Sequence, residues 1–242
     1  MKLSIIVPVY NEIHTVGAAL QAVAKALPQI EKEIVVVDDG STDGTREWLA
    51  TKQADGWQTL LKESCLTTVV VVLQSQNRGK GAALREGFWR ASGDVMVIQD
   101  ADLEYDPQDW GEMWRLIEDD RADVVYGSRF YGKPHRVLYF HHLLGNRTIS
   151  ALLNLVCNTT LSDVEVCYKM FRREVWKDMT LTCDGFGFEV EFTVKIAQSP
   201  RRWRLYEVGI AYYGRTYEEG KKISWKDGVK ALWLIIWFAL KG

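Results

Sequence analysis

The chain has little that would tie it to nucleic acid, to secretion or to a histidine-bound metal. Its formal net charge is only −2, so no bulk electrostatic pull toward a polyanion is expected and nucleic acid is not among the partners. There are four cysteines, Cys65, Cys157, Cys167 and Cys183, and none stands in a Cys-x-x-Cys pair. A chain of 242 residues builds a core without disulfide staples, so these read as free thiols in a reducing, cytoplasmic setting. The four histidines lack ligand spacing. His141 and His142 are neighbours, which face different ways on a helix, and His14 and His135 stand alone. The apolar run near the start is short, is broken by Pro8 and has no small-residue cleavage site, as expected of a first core strand and not of a signal peptide. The apolar run from Ala231 to Leu240 is ten residues long. As helix it covers roughly 15 Å, where a bilayer core needs about 20 residues. No internal repeat, low-complexity tract or Pro/Gly-rich linker divides the sequence, which is therefore read as a single domain over 1–242.

What is present is a large apolar fraction, 47%, with 26% charged residues, ordinary for a globular protein. Ten tryptophans are many for this length, and several come late: Trp176, Trp203, Trp225, Trp233 and Trp237. Tryptophan packs cores but also suits surfaces that meet lipid headgroups.

The first half alternates strands and helices. Leu3–Val9, Ile34–Val37, Thr68–Leu73, Asp94–Ile98 and Asp123–Tyr126 are short apolar runs of the kind buried on both faces of a parallel sheet. Between them, apolar residues recur at helical spacing over 12–27, over 81–91 and at Trp110, Met113, Trp114 and Ile117. A further helix is expected to start near Ser41, Thr42 and Asp43, each able to cap it. Residues 51–66 are ambiguous. The second half predicts an apolar helix within 137–157, a strand at Tyr168–Arg172, a helix at Phe188–Ala197, a strand at Tyr206–Tyr213 and a C-terminal apolar helix. The β-α-β-α order predicts an α/β fold with a mainly parallel central sheet flanked by helices.

In such sheets ligands bind beyond the carboxyl ends of the strands. Here those ends read Tyr10-Asn11-Glu12, Asp38-Asp39-Gly40-Ser41, Asn77-Arg78-Gly79-Lys80-Gly81, Asp100-Ala101-Asp102-Leu103-Glu104 and Gly127-Ser128-Arg129. Alternate residues leaving a strand project to one side, so Asp100, Asp102 and Glu104 are expected to converge. Converging carboxylates need a cation, and an all-oxygen set favours Mg²⁺ or Mn²⁺, with Mg²⁺ usually completed by phosphate oxygens. Asp39 is placed to accept hydrogen bonds from a base or ribose. Lys80 puts a cation beside a helix start, where anions are favoured. The spacing fits neither a P-loop nor a G-x-G-x-x-G fingerprint.

The segments "VPVYNE", "VVDDGSTDGT", "NRGKGAALREG" and "DADLEYDP" resemble the family 2 glycosyltransferases with the GT-A fold. The likeness continues through "VYGSRF", "LSDVEVCYKMF", "GFGFEVEFTVKIA" and "YYGRTYEEGKKISWKDG", nearly the whole chain. It is greatest to the branch of dolichol-phosphate mannose and glucose synthases. The resemblance implies a nucleotide-sugar-binding half over 1–130 and an acceptor half over 131–242. It implies that Pro8, Tyr10, Glu12, Val37 and Asp39 hold the base and ribose, and that Asp100, Ala101 and Asp102 bind ribose, diphosphate and metal. The third carboxyl position is often Gln in mannose synthases and is Glu104 here. Arg129 matches a cation near the donor or acceptor phosphate, and Arg215 and Lys221 match a basic pair on a mobile loop. Asp163 falls where some relatives carry a proposed base.

The implied reaction is an inverting displacement at the anomeric carbon of a GDP- or UDP-sugar, with cations stabilising the leaving diphosphate. A polyprenyl phosphate acceptor is already anionic. A hydroxyl acceptor needs a base, for which Asp163 and Glu191 are candidates. A non-catalytic sugar-nucleotide-binding protein is the third reading. The apolar stretches at 136–158 and 231–240 suit either a peripheral membrane face with basic and aromatic flanks (Arg136, Tyr139, Lys230 and Lys241), or packing on the sheet or on a second subunit.

Overall fold

The computed structural model describes residues 1–57, 66–219 and 225–241; Cys65, Gly220, Lys221 and Lys222 lie outside them. Seven strands form one sheet in the order β3-β2-β1-β4-β6-β5-β7. β1 (Leu3–Val9), β2 (Lys32–Asp38), β3 (Thr67–Leu73) and β4 (Val95–Ile98) are parallel. β6 (Lys169–Arg172) enters antiparallel between β4 and β5 (Val124–Ser128), and β7 (Leu205–Gly209) runs parallel to β5. The continuous apolar runs predicted this: β1, β2 and β4 are almost wholly buried, as strands covered on both faces must be. β6 has a consequence for the site. Because it runs against its neighbours, the loop leading into it lies at the carboxyl ends of β4 and β5.

The helices supply the cover. α1 (Val16–Lys25) buries Val16, Leu20 and Val23, and α3 (Lys80–Arg90) lies on β1 and β2. α2 spans Thr45–Asp55 and α4 spans Trp110–Glu118, the latter on β5 and β6. α5 (Phe140–Cys157), α6 (Arg173–Lys177), α7 (Phe188–Ala197) and α8 (Trp225–Lys241) complete the second half, with α8 packed on α5 and α7. Among the described residues no helix is long and apolar enough to cross a membrane, and Cys157, Cys167 and Cys183 are free.

Three local expectations change. The first helix begins at Val16 because Glu12–Thr15 turn first, with the Val16 N–H on the Glu12 carbonyl. α2 begins at Thr45 with Gly44 before it and no side-chain cap. Of the polar residues expected to cap it, Ser41 binds elsewhere, its Oγ accepting from the Asn11 N–H, while Asp43 accepts from the Ile13 N–H and from the Thr45 N–H at the helix start. β7 stops at Gly209 because the following backbone donors leave the ladder. The Ala211 N–H goes to Asp109 and the Tyr213 N–H to the Glu104 carbonyl.

The amino end of the sheet is closed by a saturated polar cluster. Glu33 accepts from the Ser4 and Ser92 hydroxyls and from the Ser92 and Gly93 N–H groups, with Lys2 Nζ at 3.2 Å. Burial works against its charge, but these donors overcome that and hold its carboxyl down at about 2. Beside it the buried Lys32 donates to the carbonyls of Ala24, in the last turn of α1, and Ala26, just after it. Burial lowers its pKa to about 8.

Candidate active site

The carboxyl ends of the strands gather the charged residues singled out above. β4 ends at Ile98, and residues 100–104 form a turn in which the Glu104 N–H bonds Asp102 Oδ1 at 3.1 Å and Leu103 takes φ +63°. The three carboxylates therefore do not leave as an extended strand, and each meets its own partner. Asp100 accepts from Lys80 Nζ at 2.9 Å. Asp102 Oδ2 lies 3.3 Å from Arg215 Nη2. Glu104 Oε1 accepts the Arg215 N–H at 2.7 Å and Oε2 accepts the Tyr212 hydroxyl at 3.0 Å. Arg215 also reaches both oxygens of Glu12 at 3.3 Å. One guanidinium thus joins the segment after β1, the turn after β4 and the segment after β7.

The Asp102 carboxyl is pushed up to about 7 by burial, and then by the charges of Asp100 and Glu104, against which Arg215 acts. Among the described residues no three His, Cys, Asp or Glu side chains are already gathered around one point as a metal cage. The donor chemistry nevertheless fits a hard cation. Three neighbouring carboxylates raise one another's energy, and a site for Mg²⁺ completed by substrate phosphates needs only one or two of them.

The residues expected at the base and ribose lie on β1 and β2 and the segments that follow them. Pro8 pairs in register with Val37 on β1 and β2; Val37 is buried and Tyr10 is 37% exposed. Asp39 follows β2, and its two oxygens accept the N–H groups of Arg78 and Gly79 at 2.8 Å each. It therefore ties the β3–α3 loop across the end of β2. Gly79, at φ +100°, lets that loop turn into α3 directly against the Asp184 carbonyl, where a Cβ would collide. Ala101 is buried under the turn. Lys221 lies outside the described residues.

Arg129 follows β5. Its Nε and Nη2 each reach Asp163 at 2.6 Å, and its N–H adds a third bond at 3.1 Å. Asp163 is fully buried, so this is a bidentate pair of the strong kind. The guanidinium carbon lies 5.2 Å from the centre of the Tyr212 ring. Asp163 spends both oxygens on Arg129, which makes it a holder of that cation and leaves it poorly placed as a base. Glu191 is likewise committed, accepting from the Thr182 and Cys183 N–H groups and from Lys195. It fastens the 180–183 loop to α7.

Sequence reasoning missed the inner layer. Lys80 lies 3.3 Å from Glu189 of α7, and Glu189 in turn binds the fully buried Lys169 of β6. Lys169 also donates to the carbonyls of Val164 and Val166. The available signal was a charge inside an apolar run, in "VCYKMF" and "FGFEVEF", since a lone buried charge persists only when paired.

A family model described as Glycosyl transferase family 2 matches residues 4–180. The chain is similar to the dolichol-phosphate mannosyltransferase of Pyrococcus furiosus, at 28% identity over 228 residues covering 92% of this chain and 61% of that protein. It is also similar to the undecaprenyl-phosphate mannosyltransferase of Micrococcus luteus, at 29% identity over 229 residues covering 91% of this chain and 87% of that one. This chain thus spans less than two thirds of the Pyrococcus protein and most of the Micrococcus one. Among solved structures, the glucosyl-3-phosphoglycerate synthase of Mycobacterium tuberculosis with Mn²⁺, UDP-glucose and phosphoglyceric acid superposes with a TM-score of 0.70 at 17% identity, over 99% of this chain and 79% of that one. That likeness speaks for the fold.

Proposed function

The chain belongs to glycosyl transferase family 2, and from that premise we propose that it transfers a hexose from a GDP- or UDP-sugar to a polyprenyl phosphate, with inversion at the anomeric carbon. The observation that carries this reading is the set of cations beyond the carboxyl ends of the strands. Arg215, Lys80 and Arg129 come from three separate segments and stand at one sheet edge, each against a carboxylate. Such preorganised cations are what a leaving diphosphate and an anionic acceptor require. The similarity to two polyprenyl-phosphate mannosyltransferases supports the lipid acceptor.

Residues 1–130 form the donor half in this reading. Pro8, Tyr10, Glu12, Val37 and Asp39 line the base and ribose, with Lys80, Arg215 and Lys221 toward the diphosphate. Asp100, Asp102 and Glu104 would hold Mg²⁺ or Mn²⁺, which when bound offsets the charge that develops on the leaving nucleoside diphosphate. Arg215, held against Glu12 and Asp102, closes over the donor. Residues 131–242 form the acceptor half. Arg129, oriented by Asp163, receives the acceptor phosphate, whose anionic oxygen attacks without a strong base.

The same half carries the apolar surface. On α8, Val229, Trp233, Ile236, Trp237 and Leu240 are exposed along one face, while Ala231, Leu234 and Ile235 are buried on the other. Phe140, Leu144 and Leu155 of α5 are exposed as well. This surface serves peripheral association with the cytoplasmic face of a membrane, where a polyprenyl chain resides.

The test is direct. GDP-mannose and UDP-glucose are each incubated with Mn²⁺ and a short polyprenyl phosphate, and the lipid-linked sugar is measured. Transfer to the lipid phosphate but not to free sugars is expected. Transfer only to sugar hydroxyls would replace the acceptor assignment, and no transfer or nucleotide binding of any kind would leave a non-catalytic protein.

A further inference from the structure

Glu165 is used by nothing described so far. It stands in the loop between Asp163 and β6, at the carboxyl ends of β4 and β5. The residue is half-buried, yet its Oε1 is shut off from solvent with no hydrogen-bond partner. The groups around it are already paired. Arg129 is bound by Asp163, and Lys169 is bound by Glu189 and by the carbonyls on either side of Glu165 itself. From β7, Glu207 accepts the Ser162 and Asp163 N–H groups, and from β5 the Tyr126 hydroxyl pairs with Thr193.

The charges can be followed along this layer. Lys80, Lys169 and Arg129 are matched by Asp100, Glu189 and Asp163, and no described cation is left for Glu165. A carboxylate in that position would be desolvated and uncompensated, and such a group takes up a proton instead. Burial and then the charge of Glu189 push its carboxyl up to about 7, against the pull of Lys169 and Arg129.

The geometry points to Glu165 as a further acceptor-binding residue, held as a neutral acid whose O–H donates a hydrogen bond to an anionic oxygen of the acceptor beside Arg129. A neutral carboxylic acid there supplies a donor to a phosphate, where an ionised carboxylate would repel it. This assignment rests on the phosphate-acceptor reading for its ligand, but not for the protonation of the residue.

Two measurements on the full chain test it, using Glu165→Gln, which keeps shape and a donor, and Glu165→Ala, which keeps neither. The first is the melting temperature at pH 5.5 and pH 8.5, which requires no activity. A carboxyl whose folded pKa is raised weakens the fold as pH rises past its unfolded value, so Glu165→Gln should gain more in Tm at pH 8.5 than at pH 5.5. An equal effect at both pH values overturns the neutral acid. The second is KM for the polyprenyl phosphate against KM for the nucleotide sugar. Glu165→Ala should raise the first at least about 10-fold, as expected when a hydrogen bond to a charged group is lost, and leave the second unchanged. Glu165→Gln should keep the wild-type KM and lose the alkaline fall in kcat/KM. An alkaline limb unchanged in Glu165→Gln belongs to the acceptor phosphate and overturns the assignment, as does an unaltered acceptor KM in Glu165→Ala. If wild type transfers to no polyprenyl phosphate, the functional reading fails and the ligand assignment falls with it, while the Tm comparison still decides the protonation.

Discussion

The two ends of the sheet treat their charges in opposite ways. At the amino end Glu33 collects four hydrogen-bond donors and an ammonium, and its carboxyl falls to about 2. At the carboxyl end Asp102 and Glu165 are each driven up to about 7 by burial and neighbouring carboxylates. A cluster that satisfies its charge stabilises the fold. A cluster that leaves charge unsatisfied lowers stability unless something else binds there. The amino end is therefore a structural clasp, and the carboxyl end has the unsatisfied charge that the proposed donor site requires.

The sharpest way to break this comparison is at Asp163, which belongs to the carboxyl end but is itself satisfied. Asp163→Ala strands Arg129 in a buried site, and loss of one partner of such a pair costs about 3–5 kcal/mol. Urea unfolding should show that loss together with loss of transfer. A normal midpoint would mean that Arg129 finds water or another partner.

Next comes the unsatisfied group. Asp102→Ala should lower kcat/KM by roughly 100-fold or more, the scale of losing a preorganised electrostatic element, with no fall in melting temperature. A clear fall in Tm would place Asp102 with the structural carboxylates.

Glu33→Gln should do the reverse. It should cost about 1–3 kcal/mol, the scale of disrupting a buried hydrogen-bonded group, and leave donor KM untouched. The sign with pH follows from the lowered carboxyl. The stabilisation is fully present above the ordinary value of 4.5 and is lost as pH falls toward about 2. The gap between wild type and Glu33→Gln should therefore be constant above pH 5 and narrow in acid, as read by chemical denaturation at each pH.

The smallest effect on stability is expected on the apolar face. Trp233, 56% exposed, stacks on Trp237 with ring centres 5.2 Å apart. Trp233→Ser should change stability by no more than about 0.5 kcal/mol, as for most surface substitutions, yet reduce flotation with liposomes. Equal flotation of the two proteins would assign that face to another partner.

Much of the regular half was legible in the sequence. Leu3–Val9 and Phe188–Ala197 coincide with β1 and α7 to the residue, because an apolar run and a helical period are local signals. The antiparallel entry of β6 was not legible, since nothing within Lys169–Arg172 states which strand it will pair with or in which direction. The strand-end rule brought Glu12, Asp39, Lys80, Asp100, Asp102 and Arg129 to one edge. It did not give the joins among them. Arg215 meets Glu12 from 203 residues away, and the Lys80–Glu189–Lys169 chain crosses three elements. The family resemblance puts Asp163 where some relatives carry a proposed base, and its partner is not legible in the sequence. In the fold it is Arg129's anchor.

The central claim is that the carboxyl end is an unfinished charge cluster completed by a metal and a nucleoside diphosphate. The measurement that tests it most directly is the melting temperature of wild type and Asp102→Ala with GDP or UDP, each with and without Mn²⁺. A ligand bound only by the native state raises its stability by mass action. The account predicts a rise in wild type that requires nucleotide and metal together and vanishes in Asp102→Ala. No rise with either nucleotide, or an equal rise without metal and in the variant, would contradict it.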